Sequence, residues 1–131
     1  MEKIYGEQYP KKDITEKIIG AAFVVHRKLG AGFAEKVYEN ALAQELRAST
    51  LSVEQQKELK VVYGGEFVGG FIVDILVENS VIVELKAVRF IENVHEKQLL
   101  NYLKAANLPV GLLLNFGNSS VQIKRKVYAV R

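Results

Sequence analysis

An acid pair and a lysine carry the clearest chemistry in this chain. Asp74 lies within FIVDILV, and Glu84 and Lys86 lie within VIVELKAV. Both runs are β-branched and apolar, so each predicts a buried strand. The link Glu78-Asn79-Ser80 is short and turn-rich, which predicts a hairpin. Strand side chains alternate faces. Glu84 and Lys86 therefore share a face, and pairing can set Asp74 beside them. Ile72, Leu76, Ile82 and Val88 share that parity, which argues against a solvated face. Charge among apolar neighbours is costly unless it is paired or holds a metal. Two carboxylates, with the Leu85 carbonyl as a third oxygen, can hold a hard divalent cation. Such a cation can polarise a phosphodiester and activate water. A lysine beside it can orient that water or stabilise charge developing on phosphate. The competing reading is a hairpin face in water with one salt bridge, worth about 0–1 kcal/mol.

Two helices offer further polar groups. In HEKQLLNYL, Gln98 and Tyr102 are four apart and share a helix face, with His95 near it. An amide and a phenol there could orient a phosphate or a carboxylate; equally, Tyr102 is core and Gln98 surface. In GAGFAEKVYENAL, Glu35 falls in the first turn of a helix and Tyr38 one turn on. The helix dipole alone favours an acid at that position. His26 sits one position off an apolar stripe and is expected to make only a local hydrogen bond.

Composition narrows the chemistry. The chain has 131 residues, 49% of them hydrophobic, which is enough for one domain with one core. It has no cysteine and two histidines, which removes thiolate zinc sites, disulfides and cysteine nucleophiles. A metal would be held by oxygen, which suits Mg²⁺ or Mn²⁺. The net charge of +3 permits nucleic-acid binding without arguing for it. No apolar stretch approaches the roughly 20 residues of a membrane span, and the N-terminus has no signal-peptide pattern. A cytoplasmic protein with no membrane partner is expected.

The elements that must position these residues follow from periodicity. Residues 1–12 read as a polar arm, and 13–131 as a single domain. Asp13 is expected to cap a first helix, with Glu16 as its capping-box partner. Ile14, Ile18, Ala21, Ala22, Val25 and Leu29 give that helix an apolar stripe, and Gly30 and Gly32 stop it. A second helix is expected from about Ala34 to Ala48. A polar stretch then leads to a strand near Glu58 to Tyr63, a turn at Gly64-Gly65, and a bulge at Gly69-Gly70 ahead of Asp74. A third helix should span about Val94 to Asn107. VGLLLNF reads as a buried strand and VQIKRKVYAV as an edge strand, its Lys124 and Lys126 guarding against edge pairing. Lys124 and Arg125 are candidate backbone contacts for a nucleic acid. The order α-α-β-β-β-α-β-β predicts a mixed α/β domain.

Gly32-x-x-Glu35-x-x-Tyr38, with VHRKLGAGF, DILVENSVIVELKAV and HEKQLLNYLKAANLPVGLLLNFG, resembles the GxxExxY proteins, a group of small prokaryotic proteins. The resemblance runs from about Asp13 to Val127, with several motifs in order. One departure is Ala31, where the family usually has proline. That family looks like a branch of the PD-(D/E)XK nuclease superfamily. The resemblance implies a restriction-endonuclease-like core, a mixed β-sheet flanked by helices, and metal-dependent cleavage of phosphodiester bonds. It makes Asp74 the motif aspartate and Glu84-Leu85-Lys86 the E-x-K. Gln98 and Tyr102 match the Q-x-x-x-Y helix of RecB-like nucleases, and Glu35 matches an acid supplied from an N-terminal helix. The implied catalytic set is Asp74, Glu84, Lys86, Glu35, Gln98 and Tyr102, with metal held by Asp74, Glu84, Leu85 and Glu35. The implied partner is nucleic acid, DNA ahead of RNA. A core this small could act as a homodimer or within a larger complex. The alternative is a non-catalytic nucleic-acid-binding or assembly module on the same fold.

Overall fold

The computed structural model of the chain describes residues 10–131, so the proposed N-terminal arm lies outside the described residues as far as residue 9. Helices α1 (Lys12–Leu29) and α2 (Glu35–Ala48) come first. Strands β1 (Val53–Tyr63), β2 (Glu66–Val77) and β3 (Val81–Lys86) follow. Helix α3 (Asn93–Ala106) then leads to β4 (Val110–Asn115) and β5 (Gln122–Val127). The strands form one sheet in the order β1-β2-β3-β4-β5. All neighbours are antiparallel except β3 and β4, which run parallel across the α3 crossover. This is the mixed α/β sheet flanked by helices that the sequence predicts.

Two apolar clusters hold the layers. Ile18, Ala22 and Val25 of α1 and Leu42 and Leu46 of α2 pack on one face, against Ile75, Val83, Leu85, Leu112 and Leu114. Leu99 and Leu103 of α3 pack on the other, against Val73, Leu76, Ile82 and Leu113. The strands β3 and β4 are buried on both faces, which is why VIV and VGLLL are nearly continuous apolar runs. The Leu99 side chain of α3 can seat directly on β4 because position 111 is glycine: a Cβ there would meet Leu99 Cδ1 at 2.7 Å.

Several boundaries differ from expectation. Asp13 is not the cap of α1. The helix starts at Lys12, preceded by Lys11 at φ 57° with no side-chain cap. Asp13 instead lies in the first turn, where its charge suits the dipole, and Glu16 pairs with Lys12 at 3.9 Å. Strand β1 starts at Val53, five residues earlier than predicted, so the polar run Glu54-Gln55-Gln56-Lys57 is strand. It can be, because β1 is an edge strand whose polar side chains need not be buried. The turn at Gly64 and Gly65 is as expected, both with positive φ (59° and 82°). The bulge falls one residue early: Val61 pairs with Gly69 and Val62 with Phe67, leaving Val68 as the extra residue. The hairpin tip beyond it exposes Val62, Tyr63, Phe67 and Val68.

Strand β5 is an edge strand, but two of its three basic residues, Arg125 and Lys126, are engaged. Lys126 Nζ bonds Glu96 of α3 at 2.8 Å, and Arg125 donates to Thr15 Oγ1 of α1 at 3.2 Å. They tie β5 to the two helical layers rather than lining an open face.

Candidate active site

The β2–β3 ladder pairs Val77 with Val81, Leu76 with Ile82 and Ile75 with Val83, and goes no further. The next rung would be Asp74 with Glu84. There the side chains replace the ladder. The Asp74 backbone N–H donates to Glu84 Oε2 at 2.7 Å, and the Leu85 N–H donates to Asp74 Oδ2 at 2.8 Å. The strands part at this point, and each carboxylate caps a backbone donor of the opposite strand. Alternation also slips at Asp74. Phe71 and Val73 pack on the α3 side, yet Ile75 and Val77 pack on the α1–α2 side. Ile72, expected among the apolar neighbours, is exposed.

The crossed bonds bring the two acids together in a half-buried place. Glu84 is pushed up from 4.5 to about 7, first by burial and then by the negative charge of Asp74. The Asp74 N–H and the Lys86 ammonium pull it down, and the charge of Glu35 adds a further upward push. Burial and the neighbouring Asp74 thus disfavour the charged form of Glu84 more than the Asp74 N–H and Lys86 favour it.

Lys86, two residues on, is half-buried and held by no ion pair among the described residues. Its backbone is fixed instead. Lys86 lies opposite Asn115 in the parallel ladder. The fully buried Asn115 side chain accepts from Val88 N at 2.9 Å and from Gly117 N at 3.1 Å, and donates to Val88 O at 2.8 Å. Position 117 must be glycine, since a Cβ there would lie 2.2 Å from Val88 O. The chain leaving Lys86 is thereby locked to the end of β4. The sequence reading passed over Asn115, although one amide inside VGLLLNF was the signal: buried polar groups need partners.

The Gly32-x-x-Glu35-x-x-Tyr38 motif divides by role. Gly32 has φ 110°, where a side chain is strained. Tyr38 is fully buried, stacked on Phe116 at 4.7 Å, and its hydroxyl donates to Gly30 O and accepts from Phe33 N. Tyr38 thus fastens the loop that launches α2. Glu35, the first residue of α2, is exposed and is left free of that task. His26 is buried, and its Nε2 donates to Asn118 O at 2.8 Å. That bond is not local as expected; it ties α1 to the β4–β5 loop.

On α3, Tyr102 stacks flat on Phe71 with ring centroids 4.2 Å apart. Its hydroxyl is pushed up by burial and then by the charges of Glu84 and Asp74, so it stands within electrostatic reach of both. Gln98, a turn away, is exposed and has no side-chain hydrogen bond among the described residues. His95 is used elsewhere: its Nδ1 accepts from Glu92 N in the capping box of α3.

A second acid beside the site was not foreseen. Glu39 of α2 is 4% exposed and accepts from Gln55 Nε2 at 2.8 Å, Gln56 Nε2 at 2.9 Å and Lys36 Nζ at 3.3 Å. The same Gln56 Nε2 reaches Asp74 Oδ1 at 3.4 Å.

The pair Asp74–Glu84 fits a hard cation. Both donors are carboxylate oxygens, each has one oxygen committed to a backbone N–H, and a cation would relieve the repulsion by which Asp74 pushes Glu84 up. The wider set is not gathered: no three His, Cys, Asp or Glu side chains among the described residues stand about one point. Glu35 influences Glu84 but does not complete a cluster.

The sequence profile of a family described as the PD-(D/E)XK nuclease superfamily matches residues 12–126. No curated protein matches the sequence. Among solved structures, "Crystal structure of SSO0001" is similar in fold, with a TM-score of 0.55 at 17% identity. The match covers 74% of this chain and 52% of that one, so the chain spans about half the length of that structure. No helix among the described residues is long and apolar enough to cross a membrane.

Proposed function

From membership of the PD-(D/E)XK nuclease superfamily, to which this chain belongs, we propose that it is a Mg²⁺- or Mn²⁺-dependent nuclease of the GxxExxY type, acting on DNA ahead of RNA. The observation that carries this reading is the fork at Asp74 and Glu84, where two carboxylates replace a rung of the sheet and one of them is pushed up to about 7. Asp74 and Glu84, with the Leu85 carbonyl, would hold the cation. When bound, it supplies charge against the phosphodiester and acidifies water. Lys86, which makes no ion pair among the described residues, would stabilise charge developing on the phosphate oxygens. Glu35 would approach from α2, and Gln98 and Tyr102 from α3, to orient substrate or water. In the reaction a water oxygen bonds phosphorus, one P–O ester bond breaks, and its oxygen leaves with a proton.

The test is cleavage of single- and double-stranded DNA and RNA, with free and blocked ends, in Mg²⁺ or Mn²⁺. Lys86→Ala is expected to lower turnover by about 10²–10³ while keeping cation binding, since the lysine is not a ligand. Asp74→Ala should lose both. Wild-type rates in Lys86→Ala would place any cleavage elsewhere. Binding of these substrates without cleavage would favour a non-catalytic module.

A further inference from the structure

Gln56 is an oddity in its strand. It has φ 51°, an uncommon conformation for a residue with a side chain. Its neighbours keep the ladder, Gln55 with Ile75 and Lys57 with Val73, so Gln56 falls opposite Asp74 on a rung that is skipped. Out of the ladder, it aims its amide at two carboxylates. Nε2 donates to Glu39 Oε1 at 2.9 Å and reaches Asp74 Oδ1 at 3.4 Å. A carboxylate only accepts, so both neighbours demand the NH₂ end of the amide, whose two hydrogens serve one acid each.

The result for Asp74 is specific. Leu85 N holds Oδ2 and Gln56 Nε2 reaches Oδ1, so both oxygens have a donor. Glu39 lies behind this arrangement. It is buried, and it is anchored independently by Gln55 and Lys36. It touches no proposed ligand, yet it fixes the group that does.

We propose that Glu39 and Gln56 form a positioning relay: Glu39 holds the Gln56 amide, and Gln56 sets the orientation of the Asp74 carboxylate for its cation. The role rests on the reading of Asp74 and Glu84 as a divalent-cation site. Neither residue is a catalytic group. Residues that orient a metal ligand typically change metal affinity about 10–100-fold when removed.

The test uses the full chain and two readouts. Calorimetric titration with Mn²⁺ compares wild type, Gln56→Ala, Glu39→Gln and the double variant, each first checked by thermal unfolding. Both single variants should weaken Mn²⁺ binding about 10-fold or more, and the double variant should be no worse than Gln56→Ala alone. A merely structural Glu39 would weaken binding further in the Gln56→Ala background, and that result overturns the relay. Wild-type affinity in Gln56→Ala, an exposed position that should fold, also overturns it. The second readout needs no metal. The Gln56 side-chain NH₂ signals in NMR should exchange slowly with water and move in both Asp74→Asn and Glu39→Gln. If wild type binds no Mn²⁺, the cation-site reading fails, and the NMR signals alone decide the relay. A Gln56 amide that exchanges like a free one and ignores Asp74→Asn removes it.

Discussion

At the scale of single residues, the site is a place where stability is held back. Glu84 titrates at about 7 in the fold against an ordinary 4.5, because burial and Asp74 both disfavour its charge. The folded state therefore binds a proton that the unfolded chain has already lost. This contribution to stability is fully present below about pH 4.5 and is lost as pH rises through about 7. The shift corresponds to about 3 kcal/mol. Glu84→Gln keeps an acceptor for the Asp74 N–H but carries no charge. Without divalent cation, it should be more stable than wild type at pH 8, by up to about 3 kcal/mol, and no more stable near pH 4. Denaturant unfolding at the two pH values measures this. Mg²⁺ or Mn²⁺ should raise the melting temperature of wild type at pH 8 and leave that of Glu84→Gln nearly unmoved. The acids themselves were legible, since an Asp and an E-x-K inside apolar runs stand out. Glu39 and Gln56 were not. A Glu on a helix and a Gln in a polar run look solvated until the fold places them against each other, 17 residues apart.

At the scale of elements, the order of helices and strands was readable because hydrophobic periods of 3.6 and 2 are distinct. The interruptions were not. The start of β1 was hidden because an edge strand with one wet face needs no apolar run, and Glu54, Gln55 and Lys57 read as loop. The slip at Asp74 faces the skipped rung at Gln56 across the ladder, a pairing that no local pattern encodes. The lock between β3 and β4 also joins distant segments, as Asn115 and Val88 lie 27 residues apart. It yields a prediction. Asn115→Ala strips partners from Val88 N, Val88 O and Gly117 N in a half-buried place, and each lost bond costs about 1 kcal/mol. Gly117→Ala drives a methyl into the Val88 backbone. Both should be clearly destabilised in thermal or denaturant unfolding. Any Gly117→Ala that still folds should lose activity more than cation affinity, because it displaces Lys86 and not Asp74. Wild-type stability in both variants would mean that this joint is dispensable.

For the whole molecule, the layers divide labour. The face under α1 and α2 carries the larger apolar cluster, while α3 supports Tyr102 and the site edge from the other side. Of the positive charge of β5, which suggested a nucleic-acid contact from sequence alone, Arg125 and Lys126 are drawn into ties with α1 and α3. What the molecule extends outward instead is the β1–β2 hairpin. Its ladder continues to Tyr63 and Glu66, well past the fork at which β3 leaves β2. Tyr63, at the tip, is 79% exposed. The chain contains no tryptophan. Tyr63→Trp therefore installs a sole indole at the exposed tip of this arm, by an aromatic exchange at a surface position that should shift stability by no more than about 0.5 kcal/mol. Its emission should be that of a water-exposed ring in the free protein. Added oligonucleotide that lies along the hairpin should quench or blue-shift it, and an unchanged spectrum at saturating oligonucleotide would show that the arm stays in water. The most exposed aromatic among the described residues thus doubles as a place from which the approach of a nucleic acid can be watched by light.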